Sequence, residues 1–389
     1  MTGVFLKRGE EARILKGHPW IFDNEIEKVE GNPDVGEAVS VFSHTRRFIG
    51  SGFFNPNSRI RIRVYSREDE KPDRDFFQRR ISDALSYRRS VLKRESYRLI
   101  FGEADLLPGL IVDKFGDYLV LQTLAAGVDR CKELIADALM DALKPRGIYE
   151  RNDVQVRELE GLPLLTGNLR GSCPTETEIE ENGVRFIVDI ASGQKTGHFL
   201  DQTENHAAIA PIVADKRVLD AFCHTGGFGL HAAHYGAAEV VSVDISLKAI
   251  QYLTRNAELN GLSASVKPQV ANVFDLLRGL EAKGERFDTI ILDPPAFCKS
   301  RSMVKSASRG YKEINLRAMK LLTPGGFLVT CSCSYHILPR LFMDIIADAA
   351  ADGRRSVRIV EIRGQAKDHP ILSGYEESQY LKCLILQVM

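Results

Sequence analysis

Long apolar runs are missing from this chain of 389 residues. None approaches the ~18 consecutive apolar residues of a membrane-spanning helix, so no span is expected. The opening stretch, MTGVFLKRGEEARILKG, is too polar for a secretory signal peptide. Paired cysteines are missing as well. The seven present are an odd number, scattered, and none has CxxC spacing. That argues against a disulfide framework and for a reducing cytoplasm. Net charge is absent, with 52 Lys+Arg against 52 Asp+Glu, so the overall balance says nothing about partners. There is no internal repeat and no low-complexity segment. What remains is the composition of an ordinary globular protein, long enough for two or three domains.

Charge is absent in sum but not in distribution. Ala38 to Arg67 holds six arginines and no acid, and Lys299 to Lys320 holds seven Lys/Arg against one acid, Glu313. Two such patches in a neutral protein suit a polyanion met at particular places; the alternative is two solvated surfaces.

Residues 1–68 read as short strands, EAVSVF, RRFIGSGFF and RIRIRVYS, separated by the turn signals GNPD and NPNS. In RIRIRVYS a period of two puts Arg59, Arg61 and Arg63 on one face and Ile60 and Ile62 on the other. This predicts a small β-barrel with a basic outer strip, whose arginines are candidate phosphate contacts. A charged linker, REDEKPDRD, leads into a second domain over 69–177. There FFQRRISDALSYRRSVL and VDRCKELIADALMDAL read as helices, a hairpin turns at Phe115-Gly116-Asp117, and GIYERNDV is a strand, an α+β pattern. From 178 to 389, after a hairpin at Glu181-Asn182-Gly183, strands and helices alternate: RVLDAF, EVVSVDIS, VKPQVANVF, FDTIILDPP and GFLVTCSCS are the strands. LKAIQYLTRNAELNG is a helix closed by Gly261. Alternation of this kind predicts an α/β domain with a mostly parallel, doubly wound, Rossmann-like sheet. RSVRIVEI and QYLKCLILQVM are expected to pair at its edge.

LDAFCHTGGFG lies at the end of the first strand of that sheet. Gly226 and Gly227 let backbone approach a ligand, and a helix N-terminus supplies free N–H groups. Asp244 ends the next strand, 18 residues after Gly226, where an acid can take both ribose hydroxyls. The third glycine of GxGxxG is missing, which excludes the dinucleotide fingerprint, and no GK[ST] follows, which excludes a phosphate loop. Asp220 would repel a pyrophosphate and suits a cation. S-adenosylmethionine carries an ammonium, a sulfonium and a ribose, and is the expected cofactor; a structural glycine turn or another nucleotide are the alternatives. LDPPAF, at the end of the fourth strand, brings Asp293 over the same site, with two prolines that leave carbonyls to face a planar base. A mere rigid turn is the bland reading.

The fifth strand ends in LVTCSCS, so Cys331 or Cys333 comes next at the sheet tips. A thiolate there would add to C6 of a cytosine and make C5 nucleophilic, with Asp293 as general acid on N3 and the amino group. The alternatives are a packed thiol and a metal site with Cys298 and His336, whose spacing matches no standard finger or ribbon. The strand alone does not say which cysteine reacts.

The chain resembles the bacterial 23S ribosomal RNA cytosine-5 methyltransferase family that joins an N-terminal PUA domain to a class I methyltransferase domain. The likeness runs through LKRGEEARILKGHPWIFDNEI, EADLLPGLIVDKFG, IYERNDVQVRELEG, KTGHFLDQ, FCHTGGFG, VVSVDIS, LDPPAF, RGYKEINLRA, SCS and DHPIL. It implies RNA binding by the PUA domain, S-adenosylmethionine as methyl donor and a homodimer. It implies Cys333 as nucleophile, with Cys331 as packing. It further implies Phe222, Thr225, Phe228, Ile245, Asn272, Val273, Phe274 and Gln202 around the cofactor. Lys195 is a candidate RNA contact, beside Arg309, Tyr311 and Lys312 of the second basic patch. Some positions depart from the family. Asn272 stands where an acid that meets the adenine amino group is common; its carbonyl oxygen is expected to accept that bond instead. Thr203 and His206 replace arginines, and Cys298 is offset by two residues from the second cysteine of another branch. Two other functions stay in view: methylation of a base nitrogen such as guanine N2, which would use LDPPAF without a thiol, and a non-catalytic RNA-binding or ribosome-assembly factor.

Overall fold

The structure, a computed structural model, describes residues 2–389. The chain forms two compact units. One holds residues 1–179, 188–200 and 367–378; the other holds 180–187, 201–366 and 379–389. Among the described residues, no helix is long and apolar enough to cross a membrane.

The first unit opens with six strands, β1 (Thr2–Leu6), β2 (Trp20–Phe22), β3 (Ile26–Val29), β4 (Ala38–Phe42), β5 (Phe48–Phe54) and β6 (Ile60–Ser66), and a short helix α1 (Glu11–Leu15). The sheet order is β2-β6-β5-β4-β1-β3. Its edge strands β2 and β3 are joined by one 3-10 turn, Asp23–Glu25, so the sheet must curl round, as the barrel reading requires. Val4, Leu6, Val39, Val41 and Ile62 fill it. Helix α2 (Arg74–Val91) follows, started by Asp73, whose carboxylate accepts the Phe76 N–H at 3.0 Å. A second sheet of β7 (Tyr97–Phe101), β8 (Leu110–Phe115), β9 (Tyr118–Thr123), β10 (Gly147–Asn152) and β11 (Leu165–Gly171) runs in order β11-β10-β9-β8-β7. The helix expected over 128–143 is two, α3 (Ala126–Arg130) and α4 (Lys132–Leu143), broken at Cys131.

One unit, rather than two separate domains, spans this region because the sheets share a core. Phe53 and Tyr65, on β5 and β6, join the cluster formed by Phe76, Phe77 and Ile81 of α2 and Leu99, Val112 and Leu121 of the second sheet. Burying each such aromatic contributes on the order of 2–3 kcal/mol, which ties the barrel to its neighbour.

Strands β12 (Glu176–Glu181) and β13 (Val184–Asp189) form the hairpin expected at Asn182-Gly183. After α5 (Thr203–Ala208), β14 (Arg217–Ala221), α6 (Gly227–His234), β15 (Glu239–Asp244), α7 (Leu247–Leu259), β16 (Val266–Val270), α8 (Val273–Ala282), β17 (Phe287–Leu292), α9 (Val304–Leu321), β18 (Leu322–Ser332), α10 (Pro339–Asp352), β19 (Val357–Arg363) and β20 (Lys382–Val388) build the second unit. Their sheet has order β16-β15-β14-β17-β18-β20-β19, parallel except that β20 is antiparallel to both neighbours. Apolar residues of α8, α9 and α10, among them Leu277, Ile314 and Phe342, cover one face. The direction of winding reverses between β14 and β17, and in open α/β sheets that switch point, at the carboxyl ends of the strands, is where ligands bind.

Candidate functional site

The switch point is built from four strand tips. β14 ends in Asp220-Ala221 and its turn carries two non-glycine residues in the left-handed region, Phe222 (φ 65°) and His224 (φ 47°). Each such conformation costs of order 1–3 kcal/mol and persists where surroundings enforce it. Here the turn is fastened to the next strand tip: the Cys223 N–H donates to the Val243 carbonyl at 3.0 Å, and the His224 N–H to Asp244 Oδ2 at 3.0 Å. Gly226 (φ 97°) caps α6; a Cβ there would stand 2.3 Å from Leu253 Cδ1.

Asp220 is 1 % exposed. Its Oδ2 accepts the Gly229 N–H at 2.8 Å, while buried Oδ1 has no hydrogen-bond partner among the described residues. Burial is the main force on this carboxyl and pushes it up to about 7; the Gly229 N–H opposes it, and the Asp293 charge adds to it. A buried carboxyl with an unmet oxygen, next to an acid, calls for a cation. An ammonium group would meet that demand. Asp244, half-buried, accepts the Ser246 N–H at 2.9 Å as well as that of His224. Two backbone donors aim the carboxylate and leave lone pairs for ribose hydroxyls. Beyond it Ile245 is 69 % exposed, an apolar side chain available to an adenine, and Phe274 is half-buried.

Asn272 caps α8, its side-chain oxygen accepting the Phe274 N–H at 2.9 Å, and that oxygen keeps a second lone pair beside the amide N–H groups. Phe228 and Val273 are each 3 % exposed, their side chains packed in the core. Gln202 is buried too, accepting from Asn205 at 2.7 Å and within hydrogen-bonding reach of Cys331. Thr225 is half-buried, its carbonyl held by Asn256 Nδ2 at 3.1 Å.

Asp293 follows β17, half-buried, its N–H directed at the Ala221 carbonyl at 3.4 Å. Phe297 of the same loop packs on Tyr311, Phe274 and Phe222 with centroid distances of 4.7, 5.8 and 6.2 Å. The unit holds five cysteines. Cys223, Cys298, Cys331 and Cys383 are buried, and Cys333 is the half-buried one. Cys331 faces Cys383 across the β18–β20 ladder, and burial drives its thiol well above the usual range. Cys298 Sγ donates to the Ser300 carbonyl at 3.2 Å. Cys333 lies just past β18 with Sγ 4.0 Å from the Pro294 carbonyl oxygen. Ser334 fastens the two loops: its Oγ accepts the Cys298 N–H at 3.0 Å and bonds the Tyr311 hydroxyl at 2.9 Å. The Asp-Pro-Pro and Ser-Cys-Ser segments, 36 or more residues apart, thus meet at one site.

Residues 165–385 match the family described as S-adenosylmethionine-dependent methyltransferase, and residues 4–67 match the PUA-like domain. The chain is an S-adenosylmethionine-dependent methyltransferase. It is 46% identical over 390 residues to a ribosomal RNA large subunit methyltransferase I of Aeromonas salmonicida, covering 99% of this chain and 98% of that one. A protein of the same name from Vibrio vulnificus is 44% identical over 395 residues, with both chains fully covered. The chain belongs to this large subunit methyltransferase I family. Two solved structures share the fold over the full length of both chains at 21% identity: an S-adenosylmethionine-dependent methyltransferase from Streptococcus mutans, with a TM-score of 0.84, and a methyltransferase complexed with SAH, with 0.87.

The residues expected to meet RNA sit in unlike surroundings in this methyltransferase. Arg59 is exposed and precedes β6, and Arg309 is exposed on α9. Arg61 is half-buried, donating to the Asn55 carbonyl at 3.2 Å. Arg63 is a correction: it pairs with Glu103 at 3.0 Å and Glu160 at 3.1 Å and lies over the Trp20 ring, so it is an internal clamp. Tyr311 is a second correction, since it is fully buried with its hydroxyl on Ser334 and cannot meet RNA. Lys312 is paired with Asp352 at 2.8 Å. Lys195 is exposed, its ammonium 4.4 Å from the Phe199 ring centroid.

Sequence reasoning missed two groups. Glu181, His206 and His231 form a buried cluster beneath the cofactor turn: Glu181 bonds His206 at 2.6 Å, and His231 Nδ1 lies 2.6 Å from the Gly227 carbonyl oxygen. Nothing local announces it, because the three come from separate elements. The other is Lys382, a lone cation at the head of the apolar strand KCLILQV; that isolation is its signal.

Proposed function

We propose that this S-adenosylmethionine-dependent methyltransferase methylates C5 of a cytosine in large-subunit ribosomal RNA, with Cys333 as covalent nucleophile. One observation carries the reading: Cys333 is the half-buried thiol among five in its unit, the other four being buried, and it stands against the Pro294 carbonyl beside Asp293. Cytosine C5 is not nucleophilic as it stands. Addition of the Cys333 thiolate to C6 makes it enamine-like. Asp293, protonated, donates to N3 while its other oxygen accepts from the amino group, which favours addition. Bound S-adenosylmethionine supplies the methyl group as an electrophile on a sulfonium. A water takes the C5 proton, the C–H electron pair re-forms the C5–C6 double bond as the thiolate leaves, and N3 returns its proton to Asp293, which restores the aromatic ring. The relatives' names support ribosomal RNA as the substrate, and the PUA-like domain with exposed Arg59 supports a phosphate contact by that domain.

The test is nucleoside analysis. Purified protein is incubated with labelled S-adenosylmethionine and ribosomal RNA from a strain lacking the enzyme, and the RNA is digested. Labelled 5-methylcytidine is expected, together with a stable adduct on RNA containing 5-fluorocytosine that Cys333→Ala does not form. A labelled N-methylguanosine, or full turnover by Cys333→Ala, refutes the mechanism.

A further inference from the structure

We infer that Lys382 is a positioning residue for Cys333, taking the thiol proton and holding the sulfur as thiolate. This rests on Cys333 being the nucleophile. Lys382 opens β20, in a strand otherwise free of charge, and is 6 % exposed. Its Cα faces Ser332 across the antiparallel ladder, the residue before Cys333. Its Nζ donates to the carbonyl of Ser334, the residue after Cys333, at 2.8 Å, and to the Tyr380 carbonyl at 2.8 Å. The side chain therefore brackets the short turn that carries the thiol.

Among the described residues, no carboxylate forms an ion pair with Lys382. A buried ammonium with carbonyl partners alone is an expensive arrangement, and apolar surroundings with two hydrogen bonds would be served as well by a neutral side chain. Desolvation lowers the amine to about 8, and the negative charge of Cys333 acts in the opposite sense. An ordinary thiol titrates near ~8.5, so amine and thiol compete for one proton. The Tyr311 hydroxyl on α9 feels the charge of Cys333, and Cys331, two residues back in β18, feels that of Asp293 at the tip of β17. A carboxylate such as Asp293 favours the thiol, whereas the Lys382 ammonium, which feels the Cys333 charge, favours the thiolate. The step balances: the S–H bond of Cys333 breaks, its proton joins the Nζ lone pair of a neutral Lys382, and the sulfur electron pair forms the bond to C6. When that bond breaks, the thiolate returns to face the ammonium.

A purely structural lysine, fastening the turn through Ser334, would leave the titration of Cys333 alone. The test is therefore the rate of alkylation of Cys333 by iodoacetamide between pH 6 and 10, read on the Cys333 peptide by mass spectrometry in the full-length protein without RNA. In Lys382→Met and Lys382→Gln the apparent pKa of Cys333 is expected to rise by about one unit, giving ~10-fold slower alkylation at pH 7. Lys382→Arg, a permanent cation, should keep it low. Coincident pH profiles for the arginine and glutamine variants would overturn the inference, even if the methionine variant does not fold. Methyl transfer by Cys333→Ala is measured alongside. Its persistence would dismiss the nucleophile reading while the alkylation profiles still decide the electrostatic coupling.

Discussion

Asp220 and Gly229 are held so close that no side chain fits between them. The carboxylate Oδ2 accepts the Gly229 N–H at 2.8 Å, and a Cβ on residue 229 would stand 2.7 Å from that same oxygen and 2.4 Å from Ser242 Oγ. The first turn of α6 is thereby pressed onto the tip of β14, and the carboxyl is sealed from water on that side.

Gly229→Ala should force the helix off the strand tip. Overpacking of this kind costs about 1–3 kcal/mol. Urea unfolding should register that loss, and calorimetric titration with S-adenosylhomocysteine should show affinity reduced ~10-fold or more. Wild-type affinity in the alanine variant would mean the close approach does not shape the cofactor site.

Asp220 makes stability depend on pH. Its folded-state value, raised to about 7 by burial, lies above the unfolded ~3.9. Its contribution is therefore full below pH ~4 and is lost as pH rises through 7. His231, lowered to about 4 chiefly by burial, acts oppositely, its contribution being lost as pH falls from ~6.5 towards 4. The difference between wild type and Asp220→Asn isolates the carboxyl. Denaturant unfolding without cofactor should show wild type losing about 2–3 kcal/mol relative to the variant between pH 5 and pH 8. A flat difference would show that Asp220 titrates normally.

The two cysteines of Ser-Cys-Ser and its neighbour should separate cleanly. Cys331→Ala removes a buried sulfur facing Cys383 and should cost about 1 kcal/mol or more of stability while methyl transfer continues. Cys333→Ala should leave the melting temperature and cofactor affinity near wild type and abolish transfer. Activity assays beside thermal melts decide it; equal losses of activity would put the nucleophile in doubt.

The arginines of β6 should divide by role. Arg63→Ala leaves Glu103 and Glu160 without their shared cation. It should cost on the order of 3 kcal/mol in chemical denaturation. Arg59→Ala should leave stability unchanged, weaken RNA binding, and reduce the slope of log affinity against log salt by about 1. A salt slope unchanged in Arg59→Ala would remove the barrel strip from the RNA path.

The sequence by itself determined much of the second unit. Alternating apolar strands and amphipathic helices from 217 to 332 specify a doubly wound sheet, and such a sheet brings strand tips to one edge whatever its details. Asp220, Asp244, Asp293 and Cys333 could therefore be placed together from their positions after apolar runs. Only the tertiary structure decided what covers each face. Period-two spacing shows that Arg59, Arg61 and Arg63 share a side of the chain, but whether that side meets water or Glu103 and Glu160 depends on residues 40 to 100 positions away. Tyr311 sits in a basic, polar stretch and is nonetheless fully buried, because α9 turns it towards Ser334. The fusion of barrel and central sheet through Phe53 and Tyr65, the assignment of 188–200 and 367–378 to the first unit, and the meeting of Lys382 with the Ser334 carbonyl have the same origin. Local pattern reports the chemistry a segment offers; contacts between distant segments select the partner that uses it.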